Sequence, residues 1–166
     1  MTSPLAPVLS AYRKVESWIA WTPQSLSLLA LRVALAVPFY RSGLTKWDGF
    51  LSLSPSARIL FQEEFKLHIF GAQIPYPAPV LMATLAGIGE IVLPILLVLG
   101  LFTRFAALGI LVMTIIIQLT VPSGWANFHL PWAAMALALM SFGSGKLALD
   151  TLLGRVGMSS RSVSPA

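Results

Sequence analysis

The sequence contains no cysteine in its 166 residues. Disulfides, thiol redox chemistry, thiolate metal sites, covalent haem attachment and iron–sulfur ligation are therefore excluded as properties of this chain alone. Charge is also scarce, because only 10% of the residues are charged, against about 25% in a soluble domain. Hydrophobic residues make up 57% of the chain, and the mean hydropathy is +0.82. This balance predicts an integral membrane protein of the all-α class.

The few basic residues lie beside apolar runs rather than in one patch, although the formal net charge is +5. Such placement favours the positive-inside rule over nucleic-acid binding and predicts that both termini lie in the cytoplasm. The flanks predicted to be cytoplasmic hold Arg13, Lys14, Arg104, Lys146, Arg155 and Arg161. The opposite flanks hold Lys46, Arg58 and Lys66, offset by Asp48, Glu63 and Glu64.

Four apolar segments approach the roughly 20 residues that a membrane-spanning helix needs, and they predict a polytopic bundle of four transmembrane helices. One amphipathic helix is predicted before the bundle, on the membrane surface, and another, from Ala57 to Phe70, in the first outer loop. Arg32 interrupts the first apolar run, which favours an uncleaved signal anchor. The predicted segments are a cytoplasmic amphipathic segment at 1–23, a domain at 24–149 with helices at about 24–44, 79–99, 105–121 and 130–149, and a flexible cytoplasmic tail at 150–166.

Two charges inside the predicted helices lie at a similar depth. At about 1.5 Å of rise per residue, Arg32 lies about 12 Å into the first helix and Glu90 about 13–14 Å into the second. Since these helices are antiparallel neighbours, the two side chains are predicted to form an ion pair, which removes the cost of an isolated charge in the membrane. Such a pair either serves function or only fixes the register of the two helices.

A second polar group is predicted nearer the outer membrane face. Arg41 lies about 25 Å along the first helix and Gln118 about 21 Å along the third, while Lys46 and His129 follow at the same interface. A polar mouth above an apolar interior suits an amphipathic small molecule such as a quinone. Snorkelling of long side chains to the interface is the alternative: it accounts fully for Lys46, and it is an open alternative for Arg41. The ligand-binding residues predicted from the sequence are Arg32, Glu90, Arg41, Lys46, Gln118 and His129.

A metal site is a weaker interpretation of the same outer region. Glu64 and His68 are four residues apart on the predicted outer helix and share a face, and His129 is a third candidate ligand. A carboxylate and two imidazoles suit a transition metal, but this spacing is common by chance. A solvated helix face is favoured, so no metal site is predicted.

Four short motifs occur in order along the chain. They are Arg32 with Gly43 and Lys46, Gly89-Glu90 within Ala86-Gly-Ile-Gly-Glu-Ile91, Gly100-Leu-Phe-Thr-Arg104, and Gly143-Ser-Gly-Lys-Leu-Ala-Leu-Asp150. Each motif is short, and it is their order and spacing that carry the information. With these motifs the chain resembles the DoxX family of four-helix bacterial membrane proteins, over about residues 26–150.

The resemblance implies a bundle in the bacterial inner membrane with both termini inside. Some members of the family are subunits of quinone-reducing sulfur oxidoreductases, and others are membrane partners of redox or detoxification enzymes. The run Gly124-Trp-Ala-Asn-Phe-His-Leu-Pro-Trp132 resembles members encoded beside enzymes that modify metal-chelating peptides. No covalently bound cofactor is implied, so electrons would be carried by a quinone or by a partner protein.

The favoured function is the binding of a quinone or similar lipid-soluble molecule within a redox, metal-handling or stress-response system. A quinone-linked oxidoreductase subunit is the corresponding enzyme class, although the sequence identifies no catalytic residue. Two other classes stay open: a small transporter or channel-like subunit, and a non-catalytic membrane anchor for partner enzymes. A transporter of this size would require a homo-oligomer.

Overall fold

The structure is a computed structural model that describes residues 5–153. In chain order its elements are α1 (Ala6–Ile19), α2 (Gln24–Leu44), β1 (Trp47–Gly49), β2 (Ser52–Leu53), α3 (Pro55–Ile59), β3 (Lys66–Ile69), β4 (Ala72–Pro75), α4 (Pro79–Leu99), α5 (Thr103–Thr120) and α6 (Leu130–Phe142). A π-helical turn, Leu60–Glu64, follows α3, and a second, Trp125–His129, precedes α6. Helices dominate, but two antiparallel β-hairpins, β1–β2 and β3–β4, lie between α2 and α4.

Three helices, α2, α4 and α5, are long and apolar enough to cross a membrane. The bounds of α2 and α4 are those predicted from the sequence. The predicted helix at 130–149 is too long, because α6 ends at Phe142 and Gly143 follows with φ +77° and ψ −158°, outside the helical region. With 13 residues, α6 is about 20 Å long. A fourth membrane-spanning helix therefore stays a prediction.

The N-terminal helix predicted within residues 1–23 is α1, and exposed aromatic side chains lie at its end and just beyond it. Trp18 and Trp21 are 74% and 85% exposed. Tryptophan is typical of the membrane–water interface, so the location of α1 on the membrane surface stays a prediction that suits its exposure. Residues 149–153 are helical, and the rest of the predicted tail lies outside the described residues.

The connection between α2 and α4 differs from the single amphipathic helix predicted over Ala57 to Phe70. Ser54 caps α3 by accepting a backbone hydrogen bond, and the helical turns that follow end before the strand at 66–69. Residues 66–69 alternate polar and apolar side chains, and this period of two fits a strand rather than a helix. Phe70 and Gly71, with φ of +49° and +83°, form the turn of the β3–β4 hairpin. The predicted outer-loop helix is therefore wrong over its second half.

α2 and α4 are antiparallel neighbours, but they are displaced along their axes. Gly43, at the end of α2, lies against Glu90 in the middle of α4, so closely that a Cβ on the glycine would come 3.0 Å from the Glu90 backbone. Arg32 reaches the carbonyl oxygens of Leu97 and Val98 at the end of α4. The first half of α4 therefore extends beyond α2 and packs against the connection instead. The buried cluster in this region consists of Leu53, Ala57, Phe61, Tyr76 and Ala83.

The main core lies between α2, α4, α5 and α6 and is apolar. The aromatic rings of Phe39 and Trp132 join α2 to α6 with their centroids 5.0 Å apart. Large and small side chains alternate in this core, which allows the helices to approach closely. The buried residues of the cluster are Leu28, Leu35, Ala36, Phe39, Leu97, Ala106, Ala107, Ile110, Ala136 and Leu139.

The α4–α5 turn defines one end of the bundle, which we call the near end; residues 45–78 and 121–129 form the far end. The segment after α6 closes the near end. The Asp150 carboxylate accepts hydrogen bonds from the backbone N–H groups of Phe102 at 2.8 Å and Thr103 at 3.1 Å. This carboxylate satisfies two donors at the start of α5 and complements the positive end of the helix dipole.

Gly100→Ala is expected to destabilise the protein, because Gly100 has φ +68° and a Cβ there would collide with Arg32 Nη1 and Ala148. A left-handed conformation costs a non-glycine residue about 1–2 kcal/mol. Displacement of Arg32 from its carbonyl partners adds a further loss, so we expect a decrease of about 3 kcal/mol or more in the free energy of unfolding, measured by denaturant titration in detergent.

Gly71→Ala is the matched control for this experiment. Gly71 has φ +83° but no atom within 4 Å of its Cβ position, so the substitution tests the backbone cost alone. A loss of about 1–2 kcal/mol is expected for this control. Equal losses in the two variants would show that the contact between Gly100 and Arg32 contributes nothing.

Candidate functional site

A buried ion pair joins the end of α2 to the middle of α4. Lys46 Nζ lies 2.5 Å from Glu90 Oε2, and the two side chains are 13% and 6% exposed. Lys46 also donates a hydrogen bond to the hydroxyl of Ser42 at 3.1 Å. Within residues 5–153 this is the only salt bridge. A carboxylate at the middle of a membrane helix is costly unless it is paired, and Lys46 supplies the pairing charge.

Two glycines bring the backbones close enough for this ion pair to form. Gly43 lies directly against Glu90, as described above. Gly87, one turn before Glu90, faces the indole of Trp47, whose ring would lie 2.7 Å from a Cβ at that position. Since Trp47 follows Lys46 in the chain, the indole packed on α4 holds the neighbouring ammonium group beside the carboxylate.

The ion pair forms the polar part of a cavity between α4, α5 and the first connection. The cavity has a volume of about 360 Å³, which is within the size range of small-molecule sites. A second polar group lies elsewhere on its wall, where the hydroxyls of Tyr76 and Thr120 are 2.5 Å apart. Most of the remaining wall is apolar. The lining residues are Ser42, Lys46, Phe61, Phe65, Tyr76, Met82, Leu85, Ala86, Glu90, Met113, Ile116, Ile117, Thr120 and Val121.

Arg32 and Glu90 do not pair, so the ion pair predicted from the sequence is wrong. Arg32 donates to the carbonyl oxygens of Leu97 at 3.3 Å and Val98 at 3.2 Å, and also to that of Leu147. The predicted pair assumed that the ends of α2 and α4 lie at the same level. Their displacement instead brings Arg32 to the last turn of α4, about eight residues or about 12 Å along the helix from Glu90.

The residues predicted to form one outer mouth lie in three places. Lys46 lines the cavity. His129 is buried, and its Nδ1 forms a hydrogen bond of 2.6 Å with Gln118 Oε1. Gln118 also donates to the carbonyl oxygen of Pro122 at 3.3 Å, so this pair ties α5 to the loop before α6. Arg41 is exposed on α2. Of these four predicted residues, the structure brings only Lys46 to Glu90.

The three weak metal candidates do not form a cluster. In the part of the chain that the structure describes, no group of three or more His, Cys, Asp and Glu could hold a metal ion. Because residues 66–69 are a strand, Glu64 and His68 lack the shared face that a helix would give them. His68 instead contacts α5, where its Nδ1 lies 3.2 Å from the carbonyl oxygen of Leu119.

Three aromatic residues of the connection contribute to the cavity and were not foreseen as site residues. Phe61 packs against Phe65 and Tyr76, with ring centroids 5.3 and 5.4 Å apart. The apolar character of this connecting segment was the available signal, because a loop in water rarely carries so many large apolar side chains. Nothing in the sequence, however, assigns these rings to the surface of α4.

Helices of membrane-spanning length, a buried ion pair and a small apolar cavity together define a membrane protein with a candidate ligand site. The model of the DoxX family matches residues 27–123, and the chain belongs to the DoxX family, as the sequence motifs predicted. It is similar to an uncharacterized protein of Haemophilus influenzae, with 33% identity over 139 residues that cover 79% of this chain and 85% of that protein. No solved structure matches the chain at a significant level.

Removal of one partner of the ion pair is expected to destabilise the fold strongly. Lys46→Met leaves the Glu90 carboxylate buried without a partner, which typically costs about 3–5 kcal/mol. The double variant Lys46→Met/Glu90→Leu removes both charges and should recover most of this loss, because an apolar pair has no desolvation cost. Unfolding free energies of the single and double variants in one detergent test this coupling. Additive losses would contradict the direct interaction.

The stability of the protein is expected to fall in mild acid through His129. Burial lowers the pKa of His129 below the ordinary value of 6.5, so the unfolded chain binds the proton more readily than the folded one. Neutral, buried His129 therefore contributes its full stabilisation at pH values above the pKa of histidine in the unfolded chain. This contribution decreases as the pH falls from about 7.5 to about 5.5. Thermal unfolding across this range should show a smaller decrease for His129→Asn than for the wild type. His68→Asn, at the exposed histidine, serves as control, and an unchanged slope in His129→Asn would contradict the assignment.

Proposed function

We propose that this DoxX family membrane protein binds a quinone or a similar lipid-soluble molecule in the cavity beside Lys46 and Glu90. The observation that carries the proposal is the coincidence of an apolar cavity of about 360 Å³ with the only described salt bridge of residues 5–153. The family resemblance suggests that such binding serves a redox, metal-handling or stress-response system.

The ion pair suits both redox forms of a quinone head group. The ammonium group of Lys46 can donate a hydrogen bond to a quinone carbonyl oxygen, and the Glu90 carboxylate can accept one from a hydroquinone hydroxyl. Ser42 adds a hydroxyl on the same side of the cavity. The apolar wall then suits a ring and the start of an isoprenoid tail, which is the usual composition of a site with few, well-placed polar groups.

The position of the cavity supports entry from the bilayer. Leu85 on α4 and Ile116 on α5 line the cavity, and both side chains are exposed. Both helices are of membrane-spanning length, so in a bilayer these exposed side chains would contact lipid. A ligand dissolved in the membrane would therefore meet the cavity wall without passing through water.

The charge distribution supports a location in the bacterial inner membrane with both termini in the cytoplasm. Arg104 and Lys146 lie at the near end, whereas the far-end connection carries acidic residues such as Asp48 and Glu63 beside its basic ones. By the positive-inside rule the near end would face the cytoplasm. Since the chain has no cysteine, a redox role would require electrons from the quinone or from a partner enzyme.

The proposal is tested by the quinone content of the full chain extracted from the membrane with an amphipathic polymer. We expect the wild type to retain quinone well above its ratio in the bulk lipid, measured by mass spectrometry of an organic extract. Lys46→Met/Glu90→Leu removes the polar head site and should lower the retained quinone by about tenfold, which corresponds to the loss of one charge-assisted hydrogen bond. Ala86→Leu fills part of the cavity while both charges of the ion pair are retained, and it should lower the retained quinone as well.

Lys66→Met is the matched control, because it removes a lysine of the same connection that does not line the cavity. It should retain as much quinone as the wild type. Quinone at the bulk-lipid ratio in the wild type would overturn the proposal. Co-purification of a soluble enzyme with no bound ligand would then favour a membrane anchor, and solute flux in proteoliposomes would favour a transporter subunit.

A further inference from the structure

A second pocket lies at the near end of the bundle, away from Lys46 and the C-terminal end of α2. It has a volume of about 500 Å³ and is formed by the start of α5 and the segment that follows α6. The residues that line it come from 102–105, 142–146 and 150–151. None of them lines the cavity proposed to hold the quinone, so this pocket is a separate site.

The pocket carries more positive than negative charge. Arg104 and Lys146 both line it, and neither forms a salt bridge in the described part of the chain. Arg104 is held in place by a hydrogen bond from its Nη2 to the carbonyl oxygen of Ser141 at 3.2 Å. The single carboxylate of the pocket, Asp150, accepts from the backbone N–H groups at the start of α5 and keeps its negative charge, which offsets one of the two cations. An anion in the pocket would still meet both cations.

Further hydrogen-bond donors face the same region. Thr103 lines the pocket and is 1% exposed, and its hydroxyl has no hydrogen-bond partner among the described residues. Asp150 satisfies two of the four N–H groups that the start of α5 leaves without helical partners. The remaining ones belong to Arg104 and Phe105, which also line the pocket. A buried unpaired hydroxyl is uncommon in a folded protein, and a bound oxyanion would provide its missing partner.

The rim of the pocket is apolar and aromatic. Phe102, Phe105 and Phe142 line it and are 60%, 75% and 65% exposed. Exposed phenylalanine rings beside basic side chains suit a surface that lies on a membrane, where apolar rings contact acyl chains and cations contact anionic head groups. A free inorganic anion would use the cations and the N–H groups but would leave these rings without a contact.

We infer that this near-end pocket binds the phosphate group of an anionic phospholipid, held between Arg104 and Lys146. The phosphate oxygens accept charge-assisted hydrogen bonds from the two side chains and from Thr103. The acyl chains lie against the phenylalanine rim. The bound lipid thereby connects the start of α5 to the segment after α6, which Asp150 also joins.

Native mass spectrometry of the full chain in detergent tests this inference with three added ligands: phosphatidylglycerol, phosphatidylcholine and inorganic phosphate. We expect phosphatidylglycerol to remain bound at collision energies that remove phosphatidylcholine. Arg104→Gln/Lys146→Gln should weaken phosphatidylglycerol binding by about tenfold. Arg13→Gln/Lys14→Gln removes the same charge from α1, outside the pocket, and should leave binding unchanged.

Two further variants keep the result interpretable if Arg104→Gln disturbs the fold. Lys146→Gln removes a side chain that has no hydrogen bond or salt bridge in the described residues, and it should still weaken lipid binding. Arg104→Lys/Lys146→Arg retains both charges and should retain the lipid. Equal binding by the wild type and Arg104→Gln/Lys146→Gln would overturn the inference, as would an equal loss in the α1 variant. Competition by millimolar inorganic phosphate with no preference for lipid would overturn the lipid assignment and identify a soluble anion.

Discussion

Carbonyl oxygens in the last turn of a helix have no N–H group four residues further along the helix to accept from, so side chains can complete their hydrogen bonding. At the end of α4 the guanidinium group of Arg32 provides donors to Leu97 and Val98, and it also reaches Leu147 beyond α6. Each hydrogen bond to a charged group contributes about 1.5–3 kcal/mol. One buried side chain therefore fixes three segments at the near end, and it fixes the position of α2 along α4.

The position of α2 along α4 determines which residues can meet Glu90 and which segments pack on the first half of α4. Because Arg32 is level with the last turn of α4, α2 ends level with Glu90 rather than at the far end. Lys46, just beyond α2, can then reach a carboxylate in the middle of a spanning helix. The first half of α4 extends beyond α2 on that side, and it is covered by α3, the π-helical turn Leu60–Glu64 and aromatic side chains of the connection. The connection lines the cavity and packs on α4, and this is the setting in which membrane proteins tolerate irregular backbone.

The sequence predicted the parts of the fold that depend on local pattern. The hydropathy pattern predicted the bounds of α2 and α4. The cost of a charge inside the membrane indicated that Arg32 and Glu90 each need a partner. The partners themselves were predicted wrongly, because the displacement of α2 is a tertiary property set by the packing of Gly43 and the carbonyl contacts of Arg32. The β3–β4 hairpin was missed although its alternation is visible in the sequence, since the apolar content of the segment was interpreted with a helical period.

The Lys46–Glu90 pair is not needed merely to hold α2 against α4. A buried ion pair commonly contributes less to stability than an apolar pair of similar volume, and the close approach at Gly43 and Gly87 already provides tight packing. The pair differs from an apolar contact in presenting a donor and an acceptor to the adjoining cavity. In a membrane, where a polar ligand group has few partners, such groups supply the orientation that apolar walls cannot. The displacement that Arg32 enforces thus has a consequence at the site, because it places a charged pair beside an apolar cavity.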